Sequence, residues 1–262
     1  MERKFGIMSE CLQGVATKDA LPLIKEAGFE AYFTCCYTFD EVVEFKSLGD
    51  SLGLSCEFIH APFRGVNAMW QSGVGYLDIY RGMEEAIETA AEFDIPTVII
   101  HVSSGWNAPQ VNDLGLSRYD ALVLHARDLG VNIAFENLRM VGNLALFADR
   151  YAELSNVGFC YDFGHEHCYT ETVRWMNVFR DKCIATHIHD NHGRPADPMG
   201  DGDEHLLPFE GNVDYAACMR ELDRYGYRHP LILEVDNSRH RDMPHGEFLR
   251  DCYERLDRLS KM

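Results

Sequence analysis

TVIIHVSSGWNAPQVNDLGLSRYDALVLHARDLGVNIAFENL, residues 97–138, carries one complete strand–helix–strand period. Thr97–His101 is a short, β-branched apolar run closed by His101, and Asn132–Glu136 is a second one closed by Glu136. Runs of this length without polar alternation read as strands covered on both faces. Between them Leu116–Leu129 repeats its apolar residues at helical spacing and stops at Gly130, the residue type that favours the left-handed position after a helix. Two covered strands joined by a helix of this length read as parallel neighbours.

The same alternation continues in both directions. Further strands are expected at Phe5–Met8, Ala31–Thr34, Cys56–His60, Gly158–Asp162, Ile184–His189 and Leu231–Glu234. Helical periodicity covers Lys18–Ala27, Asp40–Leu52, Leu77–Phe93, Leu144–Ser155, Glu171–Phe179, Asp214–Tyr225 and Glu247–Leu259. Eight strand–helix units in 262 residues fit a closed (β/α)8 TIM barrel of the α/β class, read as a single domain over residues 1–262. An open doubly wound sheet has fewer strands and a glycine-rich first turn, and neither G-x-G-x-x-G nor a P-loop occurs. Long stretches follow strands three (61–76), four (102–115) and seven (190–213), all at the C-terminal face where barrel sites are built.

Composition narrows the partners. A formal net charge of -18 opposes binding to a phosphate backbone, whose affinity comes from Lys and Arg. Nine cysteines, an odd number without a C-x-x-C pair, read as reduced core residues rather than a disulfide framework. MERKFGIMSE lacks the apolar core of a signal peptide, and no run approaches the roughly 18–20 apolar residues of a membrane span. A cytoplasmic protein with a small-molecule substrate, without membrane or nucleic-acid partners, is therefore expected.

Strand after strand ends in a residue that can hold a metal: His60, His101, Glu136, Asp162, His187 or His189, and Glu234. In a barrel these ends converge on one mouth, within reach of a single cation or a small cluster. Glu136 and Glu234 close strongly apolar runs, and a carboxylate buried there without a partner is expensive, so a metal or a His or Arg must compensate.

The ordered motifs H-A-P, H-x-x-x-G, E-N, D-x-x-H, H-x-H-D-N, D-x-H, G-N-V-D and L-E, from His60 to Glu234, resemble the xylose isomerase-like barrel superfamily. That superfamily holds sugar isomerases and epimerases, some dehydratases and the endonuclease IV branch of DNA repair. In its sugar epimerases a Glu, an Asp, a His and a second Glu bind one divalent metal. The resemblance thus implies Glu136, Asp162, His187 and Glu234 as ligands, with His189 as the alternative histidine. His187 is favoured because the family places its ligand three residues before an acidic or amide residue, here Asp190. Glu136 and Glu234 would double as the catalytic acid–base pair, with Mn, Co, Mg or Zn stabilising an enediolate formed by proton abstraction beside a carbonyl. His60, His101, His165, His189, Arg194, His205 and Trp106 would contact a sugar or polyol-like substrate. Carbohydrate metabolism is the implied setting, and related barrels often assemble as homo-oligomers.

Three alternatives accompany this reading: a metal-dependent lyase or dehydratase, a multi-zinc phosphodiester hydrolase resembling endonuclease IV, and a non-catalytic ligand-binding barrel. The hydrolase would add His60, His101, His165, Asp203 and His205 as ligands of a zinc cluster. Against it stand the net charge and the absence of Arg- and Lys-rich mouth loops. Ketohexose epimerases carry a further substrate-contacting Glu six residues after the strand-five ligand, where this chain has Gly142. Arg64 and Arg139 are further candidates to hold an anionic substrate group, and Trp70 and Tyr76 are candidates to stack on a sugar.

Overall fold

The computed structural model describes residues 3–197 and 199–262. Along the chain run β1 Phe5–Met8, α1 Thr17–Glu26, β2 Ala31–Thr34, α2 Phe39–Val42, α3 Lys46–Ser51, β3 Ser55–His60, α4 Leu77–Glu92 and β4 Thr97–Ile100. There follow α5 Asp113–Leu129, β5 Asn132–Glu136, α6 Val141–Arg150, β6 Val157–Asp162, α7 Phe163–Tyr169, α8 Trp175–Phe179, β7 Cys183–His187, α9 Tyr215–Arg224, β8 Leu231–Leu233 and α10 His245–Ser260. The strands pair in the order β7-β6-β5-β4-β3-β2-β1-β8, and every strand pair is parallel. The remaining seam is closed just past β7, where Ile188 bridges Leu233 in parallel. Ile188 N donates to Ile232 O (2.9 Å), and Glu234 N donates to Ile188 O (3.0 Å). The chain is a (β/α)8 TIM barrel.

Strand periodicity sorts side chains between two cores. Ala31, Phe33, Phe58, Ile99, Ala134, Cys160, Ala185 and Ile232 fill the barrel interior, with Met8 packed against them. Their neighbours Tyr32, Ile59, Val98, Ile100, Ile133, Phe135, Phe159 and Tyr161 point outward to the helices. Phe33 and Phe58 stack at 4.8 Å between ring centres and form an apolar floor beneath the mouth.

Two helical expectations change. Asp40–Leu52 is two helices, α2 and α3. Thr38 and Glu41 close a capping box at the start of α2, and the break lets buried Phe45 pack edge-on against Tyr32 (6.4 Å). The helix expected over Glu171–Phe179 is reduced to α8, whereas α7 starts directly at the end of β6. Asp162 Oδ1 caps α7 by accepting from His165 N (2.6 Å). Elsewhere the boundaries move by a few residues, and β7 stops at His187 rather than His189.

Candidate metal centre and substrate cavity

Each donor follows an interior core residue by two positions: Phe58 and His60, Ile99 and His101, Ala134 and Glu136, Cys160 and Asp162, Ala185 and His187, Ile232 and Glu234. A period of two keeps both on one face, so the barrel's register alone turns these side chains into the mouth. The same rule adds Glu10 after Met8 and Cys35 after Phe33, two positions that sequence reasoning passed over. Glu10 accepts from Thr34 Oγ1 (2.6 Å) and Cys35 N (3.3 Å), and it anchors that side of the ring.

Glu136, Asp162, His187 and Glu234 present donor atoms within 4.8 Å of one another. His187 Nδ1 lies 3.2 Å from Glu234 Oε2 and 3.4 Å from Glu136 Oε2, over the Phe33–Phe58 floor (5.0 and 5.4 Å between ring centres). Glu136, with only 1% exposure, is ringed by imidazoles: His101 Nε2 at 3.0 Å, His60 Nε2 at 3.4 Å and His165 Nδ1 at 2.9 Å. His60, His101 and Glu136 make a second donor group.

A third group, His165, His189, Asp203 and His205, sits above the first. His165 belongs to α7, while Asp203 and His205 come from the long segment after β7. Asp203 Oδ2 accepts from both His165 Nε2 (3.1 Å) and His205 Nε2 (3.2 Å). The His189 and His205 rings stack at 4.0 Å. Gly164 makes room for this packing, since a Cβ there would run into the His189 ring. Buried Asp190 holds the loop by accepting from Asn191 N, Val213 N and Phe209 N (2.9, 3.0 and 2.8 Å) and by bridging Leu206. His205 itself takes φ +47°, a left-handed backbone uncommon outside glycine and frequent at functional sites.

The electrostatics fit a cation. Burial opposes the charge on Glu136, yet His187 and His101 outweigh it and hold the carboxyl well below its usual range. Burial likewise opposes charge on Asp203, and His165 and His205 hold it well below. Burial pushes His187 toward the neutral form, but Glu234 and Glu136 raise it to about 9; for His205, Asp203 prevails and the value is about 10. His101 is lowered, because there burial outweighs Glu136. Both ring nitrogens of His187, Nδ1 of His189, Asp203 Oδ1 and Glu234 Oε2 are buried without an aligned hydrogen-bond partner. Such orphaned atoms cost about 1–3 kcal/mol each unless something binds them. Carboxylates and imidazoles at this spacing suit a divalent ion.

A cavity of about 220 Å³ opens over the donors, lined by His60, His101, Glu136, His165, Asp203, His205 and Glu234 together with Phe63, Ser103, Ser104, Leu138, Arg139, Tyr169 and Asp201. Trp106, Arg194 and His189, expected at the substrate, are not among its lining residues. Trp106 stands behind the wall, donating from Nε1 to Gly200 O (3.1 Å), with the Arg194 guanidinium 4.7 Å from its ring. His189 is fully buried in the third group. Trp70 is core, donating to Val102 O, and Tyr76 lies under Arg118. Tyr169 was missed in the sequence because α7 was not expected there; on that helix it follows His165 by one turn, and the two rings stack at 5.0 Å.

Residues 19–252 match the family model of the xylose isomerase-like TIM barrel. The chain belongs to that family. The uncharacterized protein y4fM of Sinorhizobium fredii is 32% identical over 183 residues, 65% of this chain and 55% of that one. The chain thus spans little more than half of that relative's length. Among solved structures, the Escherichia coli 3-keto-D-glucoside 4-epimerase YcjR aligns over 100% of both chains with a TM-score of 0.74 and 18% identity. The IOLI protein with a bound zinc atom aligns over 98% of both chains with a TM-score of 0.77 and 15% identity. These likenesses are of fold, and structural neighbours of this xylose isomerase-like barrel include sugar epimerases.

Proposed function

We propose that this barrel is a divalent-metal-dependent isomerase or epimerase of a small sugar or polyol-like substrate. The observation that carries the reading is the convergence of Glu136 and Glu234, from opposite sides of the strand sequence, on one atom of His187, with Asp162 completing the donor set. Glu136, Asp162, His187 and Glu234 would hold the cation. When bound, it supplies Lewis acidity that makes a C–H beside a carbonyl easier to deprotonate.

The chain's own part is proton handling and exclusion of water. Glu234 lines the cavity and its Oε2 makes no aligned hydrogen bond, which suits the carboxylate to accept the proton from carbon. Glu136, its oxygens engaged by His101 and His165, is placed to return to carbon a proton that it first takes up from solvent, while Glu234 releases the abstracted one to solvent. Return to the opposite face of the same carbon gives epimerisation, and return to the neighbouring carbon gives aldose–ketose isomerisation. Ser103 and Ser104 line the same space as hydroxyl partners for a polyol. No helix among the described residues is long and apolar enough to cross a membrane, and all nine cysteines are free, in keeping with a cytoplasmic location. Incubation of a ketose and polyol panel in D2O tests the proposal. Solvent deuterium should enter the product at unchanged carbon skeleton, and loss of water from the product would instead indicate the lyase chemistry.

One observation favours a second reading. The donor groups overlap, and Glu136 is shared between the one with His60 and His101 and the one with Asp162, His187 and Glu234, as a bridging carboxylate would be in a multi-zinc hydrolase. Two or three zinc ions per chain, with cleavage of a phosphodiester and no deuterium exchange, would replace the isomerase by that hydrolase.

A further inference from the structure

Arg139 is the one permanent cation among the described residues lining the cavity, in a chain of net charge -18. It follows Glu136 by three residues and lines the same small space. Its guanidinium lies 3.7 Å from the Tyr169 ring, which also stacks on the donor His165 (5.0 Å) and meets Trp106 edge-on (5.8 Å). Arg139 Nη2 and the Tyr169 hydroxyl both donate to a single carboxylate oxygen, Asp201 Oδ1, at 2.7 and 2.6 Å. Arg139 also contacts the Tyr169 hydroxyl directly. The side chain of Arg139 is 13% exposed, whereas that of Asp201 is 67% exposed and sits on an irregular loop. Arg139 Nε, the other half of the side-on fork, is buried without a partner.

The fixed elements are therefore an arginine and a tyrosine aimed at an oxyanion, and the exchangeable element is the Asp201 carboxylate between them, whose Oδ1 is otherwise held, among the described residues, only by the backbone N–H of Asp203 (3.2 Å). An exposed carboxylate contributes little to such a pair, and a guanidinium fork is best filled by two oxygens of a phosphate or carboxylate. A cavity of about 220 Å³ lies below the roughly 300–1,000 Å³ of drug-sized sites, so one small molecule must span from the donors to Arg139.

We propose that Arg139 and Tyr169 form an oxyanion subsite, that Asp201 is its place-holder, and that the substrate is a small polyol bearing a terminal phosphate or carboxylate. The proposal rests on the reading of this cavity as a polyol site. Binding, not turnover, tests it, so it can fail independently of proton exchange. Calorimetry on the purified protein would compare ribitol, ribitol 5-phosphate and ribonate, which carry no ketone or aldehyde to react. At least one charged ligand should bind about ten- to a hundredfold tighter than ribitol. The better of the two names the anion. R139Q should erase that advantage with metal content unchanged, R139K should keep part of it, and D201N, which removes the competing charge, should enlarge it. If Arg139 only braces the loop, R139Q lowers thermal stability but leaves the charged-to-neutral ratio intact, which overturns the proposal. Equal binding of all three ligands by the wild type overturns it as well. Should R139Q not fold, D201N decides: a larger ratio supports the subsite and an unchanged one refutes it.

Discussion

Glu136, Asp162, His187 and Glu234 are carried on strand ends or directly after them, whereas His165, His189, Asp203 and His205 depend on a short helix and on a long irregular loop. The lower group inherits its geometry from the hydrogen-bonded register of the barrel, because each member follows an interior residue by two. The upper group is assembled by local devices: the Asp162 cap of α7, the room left by Gly164, and the Asp190 clasp. Donors set by the register are rigid before any ligand arrives, and donors set by a loop can be lost without unfolding the barrel.

The sharpest way to break this comparison is to remove charge from each group in turn. E136Q or E234Q should lower proton exchange about 10²–10⁴-fold, the usual worth of a positioned acid or base, with the fold retained. D203N should leave exchange within about tenfold of wild type, since it touches neither proton carrier. Equal, total losses in D203N and E234Q, read by deuterium incorporation, would merge the two groups into one catalytic cluster and favour the hydrolase.

Chelation comes next. A cation present at about a thousand times its Kd stabilises the folded chain by about 4 kcal/mol, so stripping it should lower Tm by roughly 10 °C in a scanning calorimeter. The drop should be much the same in wild type and in D203N if the lower group holds the ion.

A smaller effect is expected from D190A, which frees the loop that carries Asp203 and His205. It should destabilise by about 1–3 kcal/mol, the penalty for buried N–H groups left unpaired, and it should weaken any second metal per chain while sparing the first. Metal titration followed by calorimetry reads both.

The last effect is the pH dependence of the metal-free protein. His187 is raised to about 9 and His205 to about 10 from an unfolded value near 6.5. A raised folded pKa contributes stability that is complete below the unfolded value and disappears as pH climbs through the folded one. Tm of the chelated protein should therefore fall between about pH 6.5 and pH 10, and the metal-loaded protein should lose the part due to His187, whose proton the cation replaces, while keeping the part due to His205.

The same division explains what the amino-acid sequence discloses. Strand ends were legible because apolar runs such as Ile133-Ala134-Phe135 stop at a charged residue and because a period of two fixes which face that residue takes. Glu10 and Cys35 obey the same rule, yet β1 and β2 are not followed by motifs that drew attention to them. Tyr169 and Asp201 were not legible: one depends on α7, whose cap Asp162 was read only as a donor, and the other on a segment without periodicity. Trp106 and Arg194 illustrate the converse. Their position in mouth loops suggested substrate contact, but Trp106 spends its indole N–H on Gly200 O, and Arg194 packs against that ring. The break between α2 and α3, which lets Phe45 pack on Tyr32, is likewise matched to a tertiary contact that no local pattern announces.

Anomalous diffraction from crystals grown with Mn²⁺ tests the central claim most directly. The account predicts a peak among Glu136, Asp162, His187 and Glu234, present also in the D203N variant. A peak confined to His165, His189, Asp203 and His205, or no peak near Glu136 and Glu234, would contradict it.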